Sequence, residues 1–185
     1  MMQKYLHSIN ENVQARLNNW IEQVSEQQGH SVAGKFNKSA ALKLINIMVG
    51  RSIPFASRNG FKVIDFRPGY IKALIPLKPN KNHFNAMYAG ALFTVTELPG
   101  GIISSICFDK RFFPILKDLK IDFIRVAKSD VTVEFEIAPA QLKQLESEAS
   151  EQGKSSFVLE GKIKDIDDVV VATSYANYQI RLRNS

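Results

Sequence analysis

The chain has 185 residues, 45% of them hydrophobic and 23% charged, with a formal net charge of +6 and one cysteine. This composition excludes a disordered chain, and the length suits one domain with a sizeable core, with or without a helical extension. A lone Cys107 cannot form an internal disulfide, and Asn10, Glu11 and Asn12 break up any signal-peptide core, so a cytoplasmic protein is expected. No apolar run approaches the length of a bilayer span, so no membrane-spanning segment is expected either.

In chain order, residues 2 to 28 read as an amphipathic helix, with Leu6, Val13, Leu17, Trp20, Ile21 and Val24 near helical spacing. A second helix is expected from Ser39 to Val49, stopped by Gly50 and the approach to Pro54. Residues 1–50 therefore read as an N-terminal helical extension whose apolar faces pack on a main domain at 51–185. From Gly60 the hydrophobic period switches to two. Phe61 to Phe66 is a strand, Arg67-Pro68-Gly69 a turn, and Ile71, Ala73, Ile75 and Leu77 the buried side of the next strand. Further strands fall at Leu119–Val126, Val131–Ile137, around Phe157–Ile163, and at Val169–Leu182, with a polar helix at Pro139–Glu151 between the second and third of these. One long apolar helix among about six strands predicts an α+β fold, an antiparallel sheet wrapped around a central helix.

That helix carries the chemistry. Asn82-His83-Phe84-Asn85-Ala86-Met87-Tyr88-Ala89-Gly90 is a polar loop running into small residues, and Glu97 then stands alone in an apolar run. A helix start offers unpaired N–H groups and a partial positive charge, which suits an oxyanion or a phosphate. At about 100° per residue, Glu97 returns to the face of Gly90, roughly 10 Å further along the axis. Burying an acid there is costly without a partner or a purpose. Glu97 is thus either a satisfied core acid or a base. Pro99-Gly100-Gly101 is expected to interrupt the helix just after it.

The segment resembles the central helix of the hotdog-fold acyl-CoA thioesterases of the phenylacetate-degradation type. Tyr88-Ala89-Gly90 occupies the place of the family's His-Gly-Gly and Glu97 that of its acid, seven residues on. The likeness extends through Gly60-Phe61, Arg67-Pro68-Gly69, Pro79 and Asn82-His83 to Phe123-Ile124-Arg125-Val126-Ala127. The resemblance implies a hotdog fold and a thioester hydrolase. Glu97 would activate the attacking water or attack the thioester itself. The N–H of Gly90, with that of Ala89, would hold the oxyanion, and Asn82 would fix the thioester or the water. No cofactor is implied beyond the coenzyme A of the substrate. In this fold carboxylate and oxyanion donors commonly come from different subunits, which implies a homodimer or a dimer of dimers. Tyr88 in the histidine place and Ala89 in the glycine place are departures.

The neighbours of this motif carry two readings each. His83 is a base or a packed loop residue, and Asn85, like it, is a candidate substrate contact. Tyr88 is an entrance wall or a hydroxyl contact. Thr94 hydrogen-bonds the base or the helix backbone, and Arg125 with Lys128 meets nucleotide phosphates or water. Met87, Leu92, Phe93 and Val95 line an acyl tunnel or fill the core. Between Arg51 and Asn82, seven basic residues face Asp65 alone, which is either a surface for an anionic ligand or solvated strand residues. No nucleic-acid module organises them. Gly29 to Lys35 nearly matches a phosphate-binding loop, but Phe36 stands where a Ser or Thr is needed. The histidines and Cys107 show no metal-ligand spacing, so no metal is expected. The competing functions are a non-catalytic acyl-thioester or fatty-acyl binding protein, and a hotdog dehydratase acting on hydroxyacyl thioesters.

Overall fold

The computed structural model describes residues 32–183, and the helix expected over residues 2 to 28 lies outside them. The chain divides into two compact units, residues 1–57 and 58–185. Helix α1 spans Val32–Ser52 in the first, and a short α2, Pro54–Arg58, runs to the boundary. Helix α1 overruns the expected Ser39–Val49 and passes through Gly50, because an internal glycine costs a helix only about 1 kcal/mol. Ala41, Ile45 and Val49 recur every four residues as its buried stripe.

The second unit is a six-stranded antiparallel sheet with one long helix against it. Its strands are β1 (Lys62–Arg67), β2 (Tyr70–Ile75), β3 (Phe112–Phe123), β4 (Val131–Glu136), β5 (Lys154–Lys164) and β6 (Val170–Leu182). They lie in the order β1-β2-β4-β5-β6-β3 around α3 (Ala89–Cys107), which is the hotdog fold. A polar helix, α4 (Pro139–Gln152), joins β4 to β5.

Alternation fixes which side of each strand meets α3. In β4, Val131, Val133 and Phe135 are buried, while Glu134 and Glu136 are exposed. In β5, Phe157, Leu159, Gly161 and Ile163 turn inward. The β1–β2 turn needs glycine. Gly69 has φ +75°, its carbonyl accepts the N–H of Ile137 at 2.7 Å, and a Cβ there would strike the Ile137 carbonyl oxygen. Several strand bounds differ from the sequence reading, and two of the differences have a clear cause. Strand β2 ends at Ile75, before Pro76, and the N–H of Leu77 goes instead to the Asp130 carboxylate at 2.8 Å. Strand β3 begins at Phe112 rather than Leu119, because the unalternating run Phe112–Leu116 pairs along β6 from Leu182 to Tyr178.

Helix α3 also departs from expectation. It is long and apolar enough by composition to cross a membrane, with a mean hydropathy of 1.3, yet 67% of that stretch is buried inside the fold. A helix apolar on nearly all sides is stable when a sheet wraps it. It is not interrupted at Pro99-Gly100-Gly101 but continues to Cys107. Pro99 removes only the N–H that would reach Val95, and tertiary contacts hold the following turn.

Candidate active site

The approach to α3 is a loop shaped by two asparagines. Asn80 is buried, and its amide donates to the carbonyls of Asn59 at 2.8 Å and Pro76 at 2.7 Å. The Asn80 carbonyl accepts the N–H of Tyr88 at 2.8 Å, which closes the loop on itself. Asn82 organises the tip. Its side-chain oxygen accepts the N–H groups of Phe84 and Ala86, and its own N–H reaches the Ala86 carbonyl. Asn85 takes φ +59° at the top of the turn, a conformation asparagine tolerates. Asn82 stands out in the sequence, and Asn80 does not. The only signal for Asn80 was a turn-forming asparagine after Pro79.

The loop ends where two cationic segments converge. The N–H of Met87 donates to the Ala127 carbonyl at 2.9 Å, and Lys81 bridges Met87. Arg125 and Lys128, both exposed, therefore flank the residue that holds the loop one position before Tyr88. Of the seven basic residues between Arg51 and Asn82, Arg67 pairs with Glu136 at 2.9 Å and Lys72 approaches Glu134 at 3.8 Å. His83 and Phe84 are exposed at the tip with ring centroids 3.8 Å apart.

Tyr88 occupies the residue before α3 in an extended conformation, with no side-chain cap. Its ring, 60% exposed, lies over Gly90, where a Cβ would come within 2.5 Å of it. The first N–H groups of the helix, those of Ala89 and Gly90, have no partner within the helix itself. Thr94 is buried and bonds back to the Gly90 carbonyl at 2.8 Å, so its hydroxyl serves the helix backbone. Met87, Leu92 and Val95 belong to the core, whereas Phe84, Tyr88 and Phe93 reach the surface.

Glu97 sits deeper on the same helix, half-buried, with Thr96 and Leu98 buried on either side. No ion pair or hydrogen bond to its carboxylate is found among the described residues. Burial alone pushes its pKa above the ordinary value of 4.5. Behind it, the hydroxyl of Tyr178 on β6 donates to the Glu97 main-chain carbonyl. Glu97 is therefore a carboxyl group held in place by its backbone and left uncompensated at its side chain. Among the described residues, no group of three or more His, Cys, Asp or Glu could hold a metal ion. A separate cleft of about 660 Å³ lies on the outer face of the sheet, lined among others by Asp122, Glu160, Lys162 and Tyr175, and includes none of these residues.

Residues 42–180 match a family described as a domain of unknown function, DUF4442. Among curated proteins nothing matches. A solved protein of unknown function from Pseudomonas aeruginosa, described as a probable thioesterase, is 41% identical, with a TM-score of 0.73 over 76% of this chain and 95% of that one. A protein of unknown function from Chlorobaculum tepidum is 12% identical, with a TM-score of 0.70 over 79% of this chain and 97% of that one. A thioesterase from Haemophilus influenzae is 15% identical, with a TM-score of 0.61 over 76% and 90%. At such identities the last two show a shared fold alone.

The raised pKa of Glu97 has a consequence for stability. Below pH 4.5 the carboxyl is protonated both folded and unfolded, so it does not make stability depend on pH there. As pH rises from there through the higher folded pKa, the unfolded chain loses its proton first and the folded state is progressively penalised. Glu97→Gln removes that penalty. The variant is expected to melt above wild type at pH 7 and level with it near pH 4, read by circular dichroism. An equal or lower melting temperature at pH 7 would show that the carboxylate is compensated.

Proposed function

The chain belongs to the DUF4442 family, and we propose that it hydrolyses an acyl-coenzyme A thioester, with Glu97 as general base. The observation that carries this reading is the half-buried Glu97 carboxylate, without a partner among the described residues and with a raised pKa, on a helix whose first N–H groups are those of Ala89 and Gly90. The description of the P. aeruginosa relative as a probable thioesterase supports the same chemistry. A carboxylate moved toward neutrality by burial is a better proton acceptor at working pH than an exposed one.

In this mechanism Glu97 takes a proton from water as the water oxygen attacks the thioester carbonyl carbon. The developing oxyanion is held by the N–H of Gly90, with that of Ala89 beside it. The tetrahedral intermediate collapses, the carbon–sulfur bond breaks, and the sulfur leaves with the proton returned by Glu97. The products are a carboxylic acid, which releases its remaining proton to water as the carboxylate, and the free thiol of coenzyme A. The Asn82 side-chain oxygen is occupied by the loop, so its amide nitrogen is the group offered to substrate. Lys81, Arg125 and Lys128 supply positive charge for the nucleotide phosphates. Coenzyme A enters as part of the substrate, and a cytoplasmic protein fits that substrate.

A second copy of the chain completes the site. Seven residues of helix separate Gly90 from Glu97 by about 10 Å, more than one Glu side chain spans, so donors and base of one chain do not converge on one carbonyl. Strand β3 forms a sheet edge of 12 residues, and Phe123, Ile124 and Val126 are exposed at its end, with Phe93 of α3 at 6.4 Å from Phe123. A long edge with an apolar end calls for a partner. His83, which a dehydratase reading would recruit, is exposed at the loop tip, and this favours hydrolysis.

Thiol release from octanoyl-CoA is expected for the purified protein, and Glu97→Gln should lower it by about two orders of magnitude or more with folding intact. Near-wild-type turnover in that variant would make Glu97 structural. Light scattering at micromolar concentration should return a dimer or a dimer of dimers; a mass near the 20.8 kDa monomer would rule out the shared site.

A further inference from the structure

Tyr178 is the largest fully buried side chain of the sheet, 1% exposed, and its placement is unusual for a core aromatic. One face stacks on Phe157 at 5.6 Å and 18°, and Phe157 in turn meets Phe108 at 6.1 Å. The ring edge enters a notch at Gly100 on α3, where any Cβ would overlap it. Its hydroxyl donates to the main-chain carbonyl of Glu97. Buried phenols normally find a partner, but this one is bonded to the backbone of the residue bearing the proposed base.

The position matters because α3 is weakest there. Pro99 lacks the N–H that would close the helix onto Val95, two residues before Glu97. The sheet supplies a bond from outside within the same turn. Burial and the nearby Glu97 charge both raise the Tyr178 pKa, so the phenol stays protonated and remains a donor. Gly100 is the residue that lets the ring come close enough.

We propose that Tyr178 is a positioning residue, its hydroxyl fixing the Glu97 main chain so that the carboxylate faces the thioester. This rests on reading Glu97 as the base. Tyr178→Phe retains the stacking and the notch contact and deletes only the bond. A core hydroxyl that merely stabilised the fold would alter the melting temperature and leave turnover per folded molecule unchanged.

Wild type, Tyr178→Phe and Glu97→Gln are compared by kcat and KM on octanoyl-CoA, with melting curves alongside. Tyr178→Phe should fold, lose about tenfold in kcat, and hold KM within about twofold. If Tyr178→Phe turns over like wild type per folded molecule while Glu97→Gln is inactive, the positioning role is overturned and the base survives. If Glu97→Gln stays active, the base reading falls and the positioning role falls with it. Should Tyr178→Phe not fold, Gly100→Ala carries the same test, since it keeps the phenol but pushes it off the Glu97 carbonyl. The same loss in kcat at constant KM is expected, and unchanged kcat overturns the proposal.

Discussion

Burial of α3 with an acid in its middle is the constraint around which the second unit is built. A helix that is apolar on nearly every side has to be enclosed, and the curved sheet does this with the inward residues of its strands. Glu97 is the exception on that helix. Its carboxylate is not compensated by a cation or a hydrogen bond among the described residues, and burial holds its proton affinity above that of an ordinary glutamate. A fold selected only for stability would place a leucine or an alanine there. The uncompensated acid costs stability, and the proposed base catalysis is what that cost supports.

The two ends of the site are ordered by different means. At the helix start, Asn80 and Asn82 tie down the loop through backbone bonds, and Gly90 leaves room for the Tyr88 ring. At Glu97 the support comes from the sheet, through Tyr178 and the notch at Gly100. Both arrangements place rigid backbone beside a group with a proposed catalytic role, which is how a preorganised site would limit reorganisation during reaction. Sharing the site between two chains would bring the two ends together.

How much of this was legible in the sequence depended on whether the signal was local. The alternation of Val131, Val133 and Phe135 revealed β4, and Pro68-Gly69 revealed the β1–β2 turn, because both patterns rest on neighbouring residues. The spacing from Gly90 to Glu97 exposed the helix face bearing the acid. Other features were set by tertiary contacts. Pro99-Gly100-Gly101 reads as a helix stop, yet the helix continues because Tyr178, some eighty residues later, fills the glycine notch and bonds the preceding turn. The early start of β3 was hidden because Phe112–Leu116 does not alternate and gains its strand character from pairing with β6. Thr94 offered two partners in sequence, and only the geometry assigns its hydroxyl to the Gly90 carbonyl.

In the proposed mechanism a desolvated Glu97 must lose its proton to act. The most direct measurement is the pH dependence of kcat for the wild-type protein on octanoyl-CoA. Turnover should rise with pH through a single ionisation above the ordinary glutamate value of 4.5 and then level off. A rate that is already flat at and above pH 4.5, or one that falls as pH rises through that range, would show that Glu97 is not the base.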